Sequence, residues 1–391
     1  MFFIMKIVHF ITSLKIGGAE VALFNRLKNS NREDDEHIVV YLYDGPIASK
    51  IKSLGIKTYQ VKGLLSIYDP LSLFRIYKLI KNISPDVLHT ALWSANIIGR
   101  VVARRLKISI ICDMHGDVVF QGKFRNFFEK LTIGMPNYIV AVSKSVKKAL
   151  EENFVYRIKN KKKRESLQLR IILIQNGIDV EEMRSVKSDI KKEDIGLGKD
   201  DFVVGSVGRL EPIKSYDVLL QSLAFLLNKE NEKYKNLKLC LIGDGSQKET
   251  LEELSSRLGI TSNVKFIGWK DNPLKFYPIF DCFALSSQSE GLSIALLEAL
   301  AFGLPLVSTH ILGQPHDVIN DGESGFLVTS GDFKALAGAL SVLYLDSVLL
   351  EAMRKNNKKL AECNFNIKNV VEGYDCLYRR YDSSSNKFIK K

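Results

Sequence analysis

The stretch SEGLSIALLEALAFGLPLVST, residues 289–309, reads as a helix, a stop and a strand in immediate succession. Helix formers fill Ile294 to Phe302, Gly303 and Pro305 break the run, and Leu306-Val307 opens a β-rich segment. A helix that hands over directly to an apolar strand is the repeating half of a parallel α/β sheet. The same stretch carries Glu290 ahead of the helix and Glu298 inside it, flanked by Leu296, Leu297, Ala299 and Leu300. A carboxylate in such company needs a partner. One reading makes Glu298 a rim residue in a surface salt bridge. The other points the helix N-terminus, with Gly291 and Ser293 before or at its start, at an anionic ligand. Glu298 then accepts hydrogen bonds from a neutral polyol such as a ribose.

The alternation continues on both sides. KIVHFIT, HIVVYLY, DVLHTAL, SIICDM, YIVAVS and RIILIQNG are apolar, β-branched segments, most of them separated by helical patterns. The charged segment EEMRSVKSDIKKEDIGLGKD (181–200) interrupts the series, which restarts with FVVGSVGRL, KLCLIGDG, VKFIGW, DCFALSS and PLVST. At 391 residues the chain has room for two cores. We expect an α/β chain of two doubly wound parallel-sheet domains, 1–185 and 186–370, with 371–391 forming a C-terminal helix that returns to the first domain and a frayed end.

Composition narrows the function classes. Hydrophobic residues make up 46% and charged residues 26%, the balance of an ordinary globular protein. Lys6 interrupts the apolar start, MFFIMKIVHFIT, without a small-residue cleavage site after it, so a first strand is expected rather than a leader. No run approaches the roughly 20 apolar residues of a membrane span. The five cysteines lack metal-ligand spacing and suit reduced thiols of a cytoplasmic protein. The net charge of +12 is concentrated: residues 1–182 hold 29 Lys and Arg against 17 Asp and Glu, which accounts for all of it. RIKNKKKRESLQLR (157–170) and GRVVARRLK (99–107) are the dense blocks. Each suits a solvated face, and together they suit an anionic membrane surface or a phosphate-bearing acceptor. Nucleic acid is not expected, because the blocks lack interleaved aromatics and no nucleic-acid-binding motif accompanies them.

Each half opens with a strand that runs into a ligand-type loop. HFITSLKIGGAE places Gly17 and Gly18 before a helix, either as a tight turn or as a loop whose bare backbone approaches a phosphate. It is not the G-x-G-x-x-G dinucleotide fingerprint, which argues against a dehydrogenase. GSVGRLEPIKSYDVLL places Gly208, Arg209 and Lys214 between strand and helix, where a guanidinium and an ammonium can clamp a diphosphate. Two fixed cations and a helix N-terminus stabilise such a leaving group without a metal, and the chain has no Asp-x-Asp pair. His115, in CDMHGD, follows another strand end with Gly116 beside it, and is either structural or a ring that orients a sugar hydroxyl. His89 reads as a packing residue. Asp244, in LIGDG, is a ligand-loop residue or simply an Asp-Gly turn.

Taken together these segments resemble the retaining glycosyltransferases of family four, which have the GT-B fold of two Rossmann-like domains facing across a cleft. The resemblance runs through GGAE (17–20), HG (115–116), AVSKSVKKAL (141–150), NGID (176–179), GRLEPIK (208–214), LIGDG (241–245), NVKFIGW (263–269), SEGLSIALLEALAFGLPLV (289–307) and NDGESGFLV (320–328). It implies that Glu298 binds the ribose of a nucleotide sugar, most simply a UDP-sugar, and that Glu290 faces the transferred sugar. Backbone N–H groups of Gly291, Leu292 and Ser293 would hold sugar and phosphate, Arg209 and Lys214 the diphosphate, and Gly18 would approach from the other domain. His115 would touch the donor sugar, and the base would lie near Gly268. The resemblance further implies a metal-independent hexosyl transfer to a surface-polysaccharide or lipid-linked saccharide, in the cytoplasm or at the inner face of the plasma membrane. An inactive nucleotide-sugar-binding subunit and a nucleotide-sugar epimerase are the alternatives. STHILGQPHDVI (308–319) departs from the pattern, with His310 and Asp317 where relatives carry Asp and Glu.

Overall fold

The computed structural model describes residues 4–31, 35–63, 69–115, 122–288, 290, 292–310 and 317–381. Gly116 and Gly291 lie outside the described residues. The chain divides into two units, residues 1–177 with 367–391, and residues 178–366.

Unit 1 alternates strands and helices: β1 (Lys6–Ser13), α1 (Gly18–Lys28), β2 (Glu36–Tyr43), α2 (Pro46–Ser53), β3 (Lys57–Gln60), α3 (Pro70–Ile83), β4 (Val87–Ala91) and α4 (Trp93–Leu106). There follow β5 (Ser109–Met114), α5 (Lys123–Thr132), β6 (Tyr138–Ala141), α6 (Lys144–Leu150), α7 (Lys161–Gln168) and β7 (Ile171–Leu173). The strands are parallel, in the order β3-β2-β1-β4-β5-β6-β7. Successive residues of β2 feed opposite cores, as a sheet covered on both faces requires. Ile38 and Val40 pack with Ile76 and Ile80 of α3 and Ile98 and Val102 of α4. Val39 and Tyr41 pack with Leu23 and Leu27 of α1 and Ile47 and Ile51 of α2.

Unit 2 contains α8 (Val180–Ser185), β8 (Phe202–Val207), α9 (Tyr216–Lys229), α10 (Asn231–Tyr234), β9 (Leu237–Ile242), α11 (Lys248–Arg257) and β10 (Val264–Gly268). It continues with β11 (Cys282–Leu285), α12 (Ile294–Phe302), β12 (Leu306–His310), β13 (Gly325–Thr329), α13 (Phe333–Leu345) and α14 (Ser347–Asn364). Its parallel sheet runs β10-β9-β8-β11-β12-β13. In both sheets the order reverses beside the first strand, at β1/β4 and β8/β11, and the crevice above such a reversal is where open α/β sheets bind ligands.

The units part at Gly177/Ile178, ahead of the boundary at 185 set by the charged segment, because α8 packs on α12 and the Ile178 N–H donates to Phe365 O at 2.8 Å. The final helix, α15 (Ile367–Arg379), starts earlier than residue 371 and belongs to unit 1, where Val371, Tyr374 and Tyr378 pack with Ile7 and Val87.

Candidate active site

In unit 2 the loops after β8 and β11 are tied to each other. Ser286 Oγ donates to Lys214 O at 3.0 Å, the Gln288 N–H donates to Ile213 O at 2.8 Å, and Thr309 Oγ1 donates to Ser287 O at 2.6 Å. These bonds bring Lys214, at the end of the short 3-10 turn Pro212–Lys214, against Glu290 in a half-buried ion pair. Ser287 Oγ donates to the same Glu290 Oε1 at 2.8 Å. Lys214 and Glu290, 76 residues apart, thus form one charged pair above the β8/β11 reversal. Arg209 stands exposed on the same loop.

Behind the pair, α12 presents its N-terminus. Ser293 occupies the N-cap and its side chain accepts no backbone N–H, so among the described residues the helix start has no side-chain cap. Leu292 is buried and holds the turn. Glu298 is half-buried, with Oε2 accepting from Tyr277 Oη at 2.7 Å. Tyr277 is wholly buried and its ring stacks on Phe302 at 5.1 Å and Phe283 at 5.7 Å. Burial, and then the Glu298 carboxylate, push its phenol well above the ordinary range, so it stays a donor.

The glycines separate by function. A Cβ on Gly243 would lie 1.9 Å from Gly208 O and one on Gly245 2.5 Å from Leu210 O, so these glycines let the loops after β8 and β9 touch. A Cβ on Gly208 would meet the Tyr216 hydroxyl at 2.8 Å. Asp244 is exposed and its Oδ1 accepts the Gly245 N–H at 2.9 Å, the local turn that its sequence suggested as one alternative. Gly268 ends β10 with a φ of 74° beside half-exposed Trp269, and that left-handed conformation favours glycine although, among the described residues, no atom lies within 4 Å of a Cβ placed there.

In unit 1, Gly17 is the N-cap of α1 and Gly18 its first residue. Among the described residues no atom lies within 4 Å of a Cβ placed on Gly18, so their packing does not demand glycine there. His115 follows β5, half-buried, and burial lowers its pKa to about 4 with help from Arg26 and His89, against Asp113. Below it lies a polar cluster that sequence reading missed. Arg26 Nη1 donates to Asp113 Oδ2 at 3.1 Å and His89 Nε2 to Asp113 Oδ1 at 2.7 Å, while the Tyr378 hydroxyl of α15 meets His89 Nδ1 at 2.5 Å. His89 is therefore more than a packing residue. Burial alone would raise the Asp113 carboxyl, but His89 and Arg26 hold it well below the carboxylate range. Arg26, Ala19, Ala22, Asp113, His115 and Asn176 line one small pocket.

Two parallel-sheet α/β units, each with its ligand-type loop where the strand order reverses, make up the GT-B fold. Comparison with known proteins agrees. Residues 16–182 match the model "Glycosyltransferase Family 4" and residues 187–360 match "Glycosyl transferases group 1". The chain belongs to the family-four glycosyltransferases. It is 27% identical over 395 residues to the capsular polysaccharide biosynthesis glycosyltransferase CapM of Staphylococcus aureus, covering 96% of this chain and 97% of that one. It is 27% identical over 328 residues to the UDP-Gal:alpha-D-GlcNAc-diphosphoundecaprenol alpha-1,3-galactosyltransferase of Escherichia coli, with 81% of each covered. Its fold matches Anabaena HepE in complex with UDP and glucose at a TM-score of 0.81 and 20% identity, over 96% of this chain and all of that one.

Proposed function

We propose that this glycosyltransferase moves a hexosyl group from a nucleoside-diphosphate sugar, a UDP-sugar first among donors, to a surface-polysaccharide or lipid-linked saccharide with retention at the anomeric carbon. The observation that carries the reading is the Lys214–Glu290 pair beside the N-terminus of α12. The donor and acceptor named for the Escherichia coli relative, and the UDP and glucose bound to HepE, support the substrate class.

Lys214 and Arg209 neutralise the diphosphate as the bond between the anomeric carbon and the phosphate oxygen breaks, a role that electrostatics can fill without a metal ion. Lys214 then trades Glu290 for phosphate, which frees the Glu290 carboxylate to accept hydrogen bonds from the sugar. Amides of Gly291, Leu292 and Ser293 hold the sugar and phosphate, and Glu298, oriented by Tyr277, accepts from the ribose hydroxyls. The acceptor hydroxyl attacks the same face of the sugar, and the departing phosphate oxygen takes its proton. In unit 1, the amides of Gly17 and Gly18 suit an anionic group and the His115 ring suits a sugar hydroxyl.

Purified protein, with and without EDTA, is to be incubated with UDP-, GDP- and ADP-sugars while nucleotide release and thermal stabilisation are followed, and the product's anomeric configuration is read by NMR. One donor should release nucleotide regardless of EDTA. Lys214→Ala should cut turnover by about 10²–10³-fold, and Glu298→Ala should lose the donor's stabilisation. Unimpaired turnover by Lys214→Ala would exclude this site.

A further inference from the structure

We propose that the outer face of α3, α4 and α5 is a membrane-docking surface that seats the enzyme on anionic lipid through aromatic side chains of α5. α4 packs between α3 and α5. The fully buried Arg100–Glu129 pair, at 2.5 Å, and the Arg100 Nη1 to Thr132 Oγ1 bond at 3.1 Å fix which side of α5 faces inward. The opposite side carries Phe124, Phe127 and Leu131, a stripe at i, i+3 and i+7 whose exposures are 64%, 58% and 59%. Phe128 braces it edge-on, with ring centroids 4.9 Å from Phe124 and 5.5 Å from Phe127. Leu71 and Phe74 of α3 are comparably exposed. Helices run opposite to the strands they follow, so Leu71, Phe74, Phe124 and Phe127 sit at the helix starts, on the sheet edge that also bears Gly18 and His115. A face bound to lipid there brings the ligand loops of this unit toward a lipid-linked acceptor.

Charge chooses the occupant. Glu129 is the sole acidic residue in the three helices, and it is the one buried against Arg100. Lys78, Lys81, Arg104, Arg105, Lys123 and Lys130 are all exposed. Exposed apolar rings ringed by cations, with no exposed acid on the same helices, match the interfacial pattern in which side chains enter the acyl boundary and cations meet anionic headgroups. An interface with a second copy would set like charges against each other.

Vesicle flotation tests this without any turnover, so its outcome is separate from that of the donor-site reading. Full-length protein is mixed with phosphatidylcholine vesicles or with vesicles containing about one-third phosphatidylglycerol. Binding should be at least about tenfold tighter to the anionic vesicles and weaken in high salt. Phe124→Ser/Phe127→Ser should lose about tenfold or more at an unchanged melting temperature. Lys161→Glu/Lys162→Glu, on the other dense basic block, should change binding less than twofold. Should the serine variant melt early, Phe127→Trp gives the second readout, quenching of its emission by brominated acyl chains. No preference for anionic vesicles, an equal loss from the α7 variant, absence of quenching, tighter binding to an oligonucleotide, or concentration-dependent dimerisation abolished by the serine changes would each overturn the proposal.

Discussion

In unit 1, Asp113 takes bonds from Arg26 and His89 deep beneath the loops, with all three side chains buried. In unit 2, Lys214 and Glu290 meet half-buried at the loop edge. The two arrangements have different consequences. A buried pair sacrifices the solvation of both charges, and the loss of one partner strands the other, so it binds the elements that supply it. Arg26 comes from α1, His89 from β4, Asp113 from β5 and Tyr378 from α15, so that cluster ties the returning helix to the sheet. A pair at a solvent-facing edge exchanges one partner for a ligand at small cost, which is what a binding site requires.

The sharpest way to break this contrast is Asp113→Ala. It leaves the Arg26 guanidinium buried without its carboxylate, and should cost about 3–5 kcal/mol of stability, read as a lower denaturation midpoint. Glu290→Ala, at the loop edge, should shift the midpoint by less than about 1 kcal/mol. Equal losses would remove the distinction.

Acid should separate the units next. Burial, followed by Arg26, lowers His9 well below 6.5, and burial also lowers His89, opposed by Asp113. His115 falls to about 4, again through burial first. These rings fold neutral, so the unfolded chain binds more protons once pH drops below its value of 6.5. Their contribution is complete above that pH and is lost as pH falls toward the folded values, near 4 for His115. Asp113, whose folded pKa is depressed, keeps its contribution until pH falls below its unfolded value of 3.8. Among the described residues of unit 2, His310 is the one histidine, exposed at the end of β12. Hydrogen exchange corrected for intrinsic rates should therefore show unit 1 opening more at pH 5 than at pH 7.5, with unit 2 changing less.

The contrast also explains what the sequence could reveal. Arg209, Lys214, Glu290 and Glu298 lie in short segments whose spacing is itself the signal, and α12 spans the residues expected from SEGLSIALLEALAFG. Asp113, Arg26, His89 and Tyr378 come from four elements with up to 289 residues between hydrogen-bonded partners, and no local pattern marks them. The strands that escaped notice, β3 (KTYQ) and β13 (GFLVT), both lie at sheet edges. β3 alternates exposed and half-buried positions, so it lacks the continuous apolar run that identified the inner strands. Tyr277 was hidden for another reason. In NPLKFYPIFDCFA an aromatic reads as core, and only the fold shows its hydroxyl reaching Glu298, 21 residues on.

That hydroxyl supplies a smaller test. Tyr277→Phe keeps the ring stack on Phe302 and Phe283 but removes the donor that fixes the Glu298 carboxylate. A hydrogen bond to a charged group contributes about 1.5–3 kcal/mol, so the donor KM should rise by about tenfold or more. kcat should hold within about threefold, since the proposed contact of Glu298 with the ribose would be made in ground and transition states alike. A fall in kcat at constant KM would instead attach Tyr277 to the chemistry.

Ser215 gives the smallest effect and the finest resolution. It follows Lys214 with a φ of 47°, the left-handed region, and leads straight into α9. Serine pays for that conformation, whereas glycine adopts it freely, at about 1 kcal/mol of difference. Glycine also enlarges the unfolded ensemble by about 0.4–1 kcal/mol, and it loses the 3.3 Å bond from Ser215 Oγ to Pro212 O. The terms nearly cancel, so Ser215→Gly should shift stability by less than about 0.5 kcal/mol in either direction. Its effect on turnover is the informative one. If the left-handed turn serves only to aim Lys214 at the loop after β11, the glycine variant keeps the aim and keeps kcat/KM. Ser215→Val, β-branched and intolerant of positive φ, should swing Lys214 away and lose activity. Equal activity in the two variants would mean that Lys214 reaches its place through its flexible side chain rather than through the turn.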